Sequence, residues 1–178
     1  MTDEEKRDPI DRMTDAYERM LERVDGMLEL AEKSTLPTLR RSLDHAREKA
    51  VELNELTREE AEKLTEYVER DMKEAAHYLL ETGAELRQWW QFDVQMIEQR
   101  MLDMFANVAD KTRLELEKFA SQAREASLYH TGEVAGPGTL ICNSCGKELH
   151  FHKAGRIPPC SGCRGTGFKR GPSAGTGD

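Results

Sequence analysis

Cys142-Asn143-Ser144-Cys145 and, after fourteen intervening residues, Cys160-Ser161-Gly162-Cys163 decide how this chain is read. The two stretches hold all four cysteines of the 178-residue sequence. Two residues between the members of a pair make a tight turn that can aim both sulfurs at one ion. Two such turns supply four thiolates to a tetrahedral Zn²⁺, about 2.3 Å from each sulfur. Four protein ligands leave no open coordination position, so the expected site is structural rather than catalytic. Iron is the alternative metal for the same donor set.

The residues around the cysteines read as short strands. Thr139-Leu140-Ile141 is β-prone, Leu149-His150-Phe151-His152 alternates apolar and polar, and Gly165 to Arg170 can add a third strand. Turn, hairpin, turn and strand in that order predict a small β zinc ribbon of rubredoxin-like type over residues 139–170. A ribbon of about 35 residues has too little core to fold without its metal. His150 and His152 read as solvent-facing strand residues. Gly132, Gly136, Pro137 and Gly138 mark residues 132–138 as a Gly/Pro linker, and residues 171–178 read as a disordered tail.

Upstream, residues 1–131 are predicted to be mainly α. Ile10, Met13, Tyr17, Met20, Leu21, Val24, Leu28 and Ala31 recur at helical spacing. After a restart at Ser34-Thr35-Leu36-Pro37, the apolar positions Leu36, Leu39, Leu43, Ala46, Ala50 and Leu53 advance by three and four, as along a heptad seam. Thr57-Arg58-Glu59-Glu60 is a capping box, although nothing forbids helix from running through Leu56 and Thr57. Ala61, Leu64, Val68, Met72, Ala75 and Leu79 make a third stripe. Past Gly83 the pattern resumes from Leu86 through Trp90, Val94, Ile97 and Met101 to Ala123, so residues 57–127 form one rod or several pieces. The stripes are narrow and the opposite faces charged, which predicts an elongated antiparallel helical bundle or coiled coil that buries its seams mutually or against another chain. Trp89, at the edge of the seam beside Trp90, is the candidate partner contact.

The chain carries a net charge of −8. From Gly138 onward there are six basic residues and two acidic ones, so the acidity belongs to the helical part. An acidic helical domain does not embrace nucleic acid by charge alone. Lys147, Lys153, Arg164, Lys169 and Arg170 in the ribbon are the candidate nucleic-acid contacts. The first residues lack a basic stretch followed by an apolar one, and no apolar run reaches membrane-spanning length. Paired cysteines in such a chain are expected to bind metal in the cytoplasm rather than form disulfides.

The combination resembles the YbeL-like zinc-ribbon-containing family of bacterial proteins. The resembling residues are Glu55-Leu56-Thr57-Arg58-Glu59-Glu60, Thr112-Arg113-Leu114-Glu115, and His130-Thr131-Gly132-Glu133-Val134 leading through Gly138-Thr139-Leu140 to Cys142 and Cys145. The resemblance implies a helical N-terminal part, a C-terminal zinc ribbon and metal-ligand roles for all four cysteines. It implies no activity.

No P-loop, nucleophile elbow, dinucleotide-binding glycine motif or His-Glu-x-x-His occurs, and His45 and His77 lack ligand-spaced partners. The expectation is a non-enzymatic, cytoplasmic, zinc-binding interaction or adaptor protein with a protein partner, and with helices suited to homo-oligomerisation. The alternative is a nucleic-acid- or transcription-associated factor that uses the basic ribbon.

Overall fold

The computed structural model describes residues 9–30, 36–82, 117, 121 and 128–171. Three helices come first: α1 (Pro9–Leu30), α2 (Leu36–Glu52) and α3 (Arg58–Thr82). Each packs against the other two. The stripes seen in the sequence become their shared core. Tyr17, Met20, Leu21 and Val24 of α1 meet Leu39, Leu43, Ala46 and Ala50 of α2 and Ala61, Leu64, Val68 and Met72 of α3. Pro37 lies in the first turn of α2, where a missing N–H costs no hydrogen bond.

The seam of α2 stops one position earlier than its periodicity suggests. Leu53 is 57% exposed, because α2 ends at Glu52 and Asn54 takes a left-handed backbone with φ of 54°. Asparagine tolerates that conformation and closes helices in place of glycine. The Glu55 and Leu56 amides fold back onto the Ala50 carbonyl at 3.0 and 3.3 Å, and Leu56 takes the buried place that Leu53 leaves. The helix therefore does not run on through Leu56. The capping box forms as the sequence indicates: the Glu60 amide donates to Thr57 Oγ1 at 3.2 Å and the Thr57 amide to Glu60 Oε2 at 2.8 Å. Glu55, at the turn, accepts two hydrogen bonds from Arg23 at 2.6 and 2.9 Å and ties α1 to the α2–α3 connection. Trp89, the break expected at Gly83 and most of the tail read at 171–178 lie outside the described residues, as does the continuation of helix toward residue 127 apart from Glu117 and Ser121, which are helical.

Six strands follow: β1 (Tyr129–His130), β2 (Val134–Ala135), β3 (Gly138–Cys142), β4 (Glu148–Phe151), β5 (Gly155–Arg156) and β6 (Gly167–Arg170). The larger sheet is antiparallel with order β1-β6-β3-β4, and β2 pairs with β5 in a separate two-stranded ribbon. In β3 the register sets Leu140 opposite Leu149 on one side and Arg170 on the other, while Cys142 faces Phe168. Tyr129, Ala135, Leu140, Ile157 and Phe168 form a second, smaller core that includes Cys142 and Cys160. The three strands read from sequence are β3, β4 and β6. The two-residue strands β1, β2 and β5 are too short to leave a periodic signal.

The ribbon is seated on the helices. Val134 and Ala154 are buried in the helical core, and β2 contacts both α1 and α3. Residues 132–138, read as a linker, carry β2, and Val134 through Pro137 are buried. Gly132 and Gly138 have φ of 97° and 130° and give the segment its sharp turns. Gly136 serves differently, by letting the backbone approach α1. A Cβ there would lie 2.6 Å from Tyr17 Oη and 3.2 Å from Asp71 Oδ2.

Candidate metal centre

Two local turns build the centre. In the first, the Cys142 amide donates to the Lys147 carbonyl and the Gly146 amide to the Cys142 carbonyl, both at 2.9 Å. In the second, the Cys160 amide donates to the Gly165 carbonyl at 2.9 Å and the Arg164 amide to the Cys160 carbonyl at 2.8 Å. The two turns share one design. The residue after each second cysteine is left-handed, Gly146 with φ of 74° and Arg164 with φ of 60°. Free amides then face the sulfurs: Gly162 N–H donates to Cys160 Sγ and Gly165 N–H to Cys163 Sγ, each at 3.4 Å.

The tertiary fold brings the turns face to face. All four sulfurs lie within 4.8 Å of one another, with Cys142 and Cys163 3.6 Å apart and Cys145 and Cys160 3.5 Å apart. A tetrahedron with metal–sulfur bonds near 2.3 Å has sulfur–sulfur edges of about 3.8 Å. The spacing fits such a centre and is far too long for disulfides, whose S–S bond is about 2.05 Å. Cys142 and Cys160 are buried against the small core, whereas Cys145 and Cys163 face solvent. Among the described residues this is the one cluster of His, Cys, Asp or Glu spaced for a metal.

The electrostatics call for a cation. Backbone N–H groups of Cys163 and Gly162 pull the Cys160 thiol down to about 6, and those of Ser144 and Cys145 lower Cys142. The Gly165 amide pulls on Cys163 too, but the crowding of Cys145 and Cys142 outweighs it and drives that thiol up to about 12. Four sulfurs this close cannot all ionise unless a positive ion sits among them. A tetrahedral thiolate-binding ion would be held by Cys142, Cys145, Cys160 and Cys163, with its coordination filled.

Of the basic residues singled out in the sequence, Lys147, Lys153, Arg164 and Lys169 are exposed on the ribbon. The Lys147 stem runs past the second turn, close enough that a Cβ on Gly162 would lie 3.1 Å from its Cδ. Arg170 departs from that group. Its side chain is 17% exposed and turned inward, where Nη1 donates to the Pro137 carbonyl at 2.7 Å and Nη2 pairs with Asp71 at 3.3 Å. Arg170 is a structural cation at the ribbon–helix boundary and is not offered to nucleic acid.

Asp71 is the residue that the sequence hid. Its side chain is 1% exposed, inside an otherwise charged stretch of α3. Oδ2 accepts the Tyr17 hydroxyl at 2.7 Å and the Gly136 amide at 2.6 Å. Oδ1 accepts the Tyr129 hydroxyl at 2.8 Å and faces Arg170 at 3.3 Å and Arg70 at 3.4 Å. Burial pushes the carboxyl up, but Arg170, Arg70 and the hydrogen bonds outweigh it and hold it below the usual carboxylate range. Burial and the neighbouring Asp71 charge push the hydroxyls of Tyr17 and Tyr129 upward, so both remain protonated donors. Arg70 also bonds Glu133 and the Val134 carbonyl, and its guanidinium lies 3.8 Å from the centre of the Tyr129 ring. The only sequence signal was a helical one: Asp71 directly precedes Met72 and lies one turn after Val68, on the buried side of α3.

A closed four-sulfur centre in a small antiparallel sheet, seated on a helical bundle, defines a metal-binding ribbon protein. Residues 27–172 match the family described as Zinc-ribbon containing domain, and the chain belongs to that family. It is 31% identical over 130 residues to the Uncharacterized protein YbeL of Escherichia coli strain K12. The same figures hold for the protein of that name in Escherichia coli O157:H7. Each alignment covers 73% of this chain and 80% of the relative. No solved structure matches the chain.

Proposed function

We propose that this chain is a non-enzymatic, cytoplasmic interaction protein that holds a structural Zn²⁺ and presents the metal-fixed ribbon to a protein partner. The observation that carries this reading is the filled donor set. Four cysteine sulfurs within 4.8 Å of one another satisfy a tetrahedral ion and leave it no place for substrate or attacking water. Zinc is favoured over iron by the family's description as a zinc ribbon. Exposure of both turns, with Cys145 and Cys163 at the surface, gives a rigid recognition edge. The helical part supplies self-association or a partner surface outside the seams of α1, α2 and α3, which are buried against one another. Among the described residues no helix is long and apolar enough to cross a membrane. The reduced state that thiolate ligation requires suits the cytoplasm.

The competing reading is a nucleic-acid-associated factor. Its support is the exposed cationic set Lys147, Lys153, Arg164 and Lys169. A tagged pull-down from native cytosol, with and without nuclease, separates the two when the intact chain is compared with a Cys160→Ser, Cys163→Ser form. The interaction reading expects a protein that survives nuclease and is lost with the cysteines. Retention that vanishes with nuclease, or falls steeply with salt, overturns it in favour of the competing reading.

A further inference from the structure

Beside its neighbour Arg70, Asp71 gathers groups from distant parts of the chain: Tyr17 on α1, and Tyr129, Gly136 and Arg170 from the ribbon. The three ribbon groups stand on the framework that the cysteines close. Tyr129 pairs with Phe168, and Phe168 faces Cys142. Arg170 is opposite Leu140, two residues before Cys142 on β3. Gly136 follows β2, whose partner β5 ends one residue before Ile157 and four before Cys160. Without an ion between its two turns, a sheet this small has too little core to hold those positions.

We infer that Asp71 couples occupancy of the four-cysteine centre to the packing of α1 and α3, so that the metal holds the whole chain and not the ribbon alone. When the ion leaves, the Asp71 carboxylate loses the Tyr129 hydroxyl, the Gly136 amide and the Arg170 charge together. Val134 and Ala154 leave the helical core at the same time. A buried carboxylate with most of its donors gone is costly, so the helices loosen around it. The device stands apart from the identity of any partner: it makes the helical surface respond to metal. Coupling of this kind is reciprocal: the metal strengthens the node by the same factor by which the intact node strengthens metal binding, so a change on α1 that weakens the node weakens metal binding.

The test uses the full chain loaded with zinc and then stripped with a chelator. Helical melting is followed by circular dichroism, and amide exchange is followed in α1 and α3. Stripping should lower helical melting by roughly 10 °C and speed exchange around Tyr17 and Asp71. Tyr17→Phe removes one hydroxyl on α1 and leaves the ribbon untouched. It should weaken zinc binding by up to about tenfold in a chelator competition, since a hydrogen bond to a buried charge is worth at least that much and this one is given up in the stripped chain as α1 and α3 loosen. Gly136→Ala, which drives a methyl against Tyr17 Oη, should weaken zinc binding likewise. Helical melting and exchange that ignore the chelator would overturn the inference. Zinc affinity within twofold of the parent in both variants would do the same. Neither result bears on whether the ribbon recognises a protein, so the two proposals fail separately.

Discussion

Replacing Asp71 by asparagine keeps the shape of the side chain and removes its charge, and the surroundings of that side chain set the cost. Both carboxylate oxygens face donors. On one side are the Tyr17 hydroxyl and the Gly136 amide, on the other the Tyr129 hydroxyl and the guanidinium groups of Arg70 and Arg170. An asparagine must turn its own NH₂ toward one of those sets. The tyrosines can rotate to accept, but the Gly136 N–H and the two arginines cannot. Either orientation leaves a buried donor unpaired, strips Arg170 of its counter-charge and leaves Arg70 with Glu133 alone. Breaking a buried pair in this way costs about 3–5 kcal/mol. For a chain of this size that is about 6–20 °C in melting temperature, at 2–4 °C per kcal/mol.

The measurement is urea and thermal unfolding of zinc-loaded parent and Asp71→Asn at pH 7, followed at helical wavelengths. The pH is chosen from the sign of the linkage. The Asp71 carboxyl is lowered in the folded state, so its contribution is present above the unfolded value of about 3.9 and fades as pH falls through the lower folded one. Thiolate ligands protonate and release metal at higher pH than that, so acid titration would confound the two events. A loss within about 0.5 kcal/mol, the size of an ordinary surface change, would refute the argument that Asp71 is a buried, charge-compensated node.

Three further outcomes rest on other parts of the structure. Cys160→Ser removes one of four ligands and should abolish stoichiometric zinc retention through gel filtration; one zinc per chain after the substitution would mean the four sulfurs do not act together. Gly146→Ala places a methyl in open space on a backbone with φ of 74°, so it should cost about 1 kcal/mol in denaturant unfolding purely through strain, and a neutral result would contradict the left-handed turn. Thr57→Ala breaks the reciprocal cap with Glu60 and should lower stability by about 1 kcal/mol, with faster amide exchange confined to the first turn of α3.

Local chemistry was legible. The two Cys-x2-Cys turns need only neighbouring residues to form, and so does the Thr57–Glu60 cap. The stripes of α1, α2 and α3 follow from helical geometry, and those of their side chains that the structure describes, Leu53 apart, lie in the observed core or against it. Leu53 shows where periodicity overreaches: a left-handed Asn54 ends the helix just where the stripe calls for one more residue. Strands of two residues carry no period, so β1, β2 and β5 left no mark in the sequence, and neither did the seating of residues 132–138.

The sequence by itself determined a four-sulfur centre, its tetrahedral preference and a helical partner domain, because each depends on spacings of a few residues. Tertiary structure alone decided that the ribbon sits on the helices and which contacts hold it there. Asp71 is separated from Tyr17 by 54 residues, from Tyr129 by 58 and from Gly136 by 65. On a helix rich in charge, a carboxylate bound for the interior looks like its solvated neighbours. Arg170 likewise looks like one more cation of a basic tail. A charge is worth burying only where its partners converge, and that convergence exists only once the chain has folded.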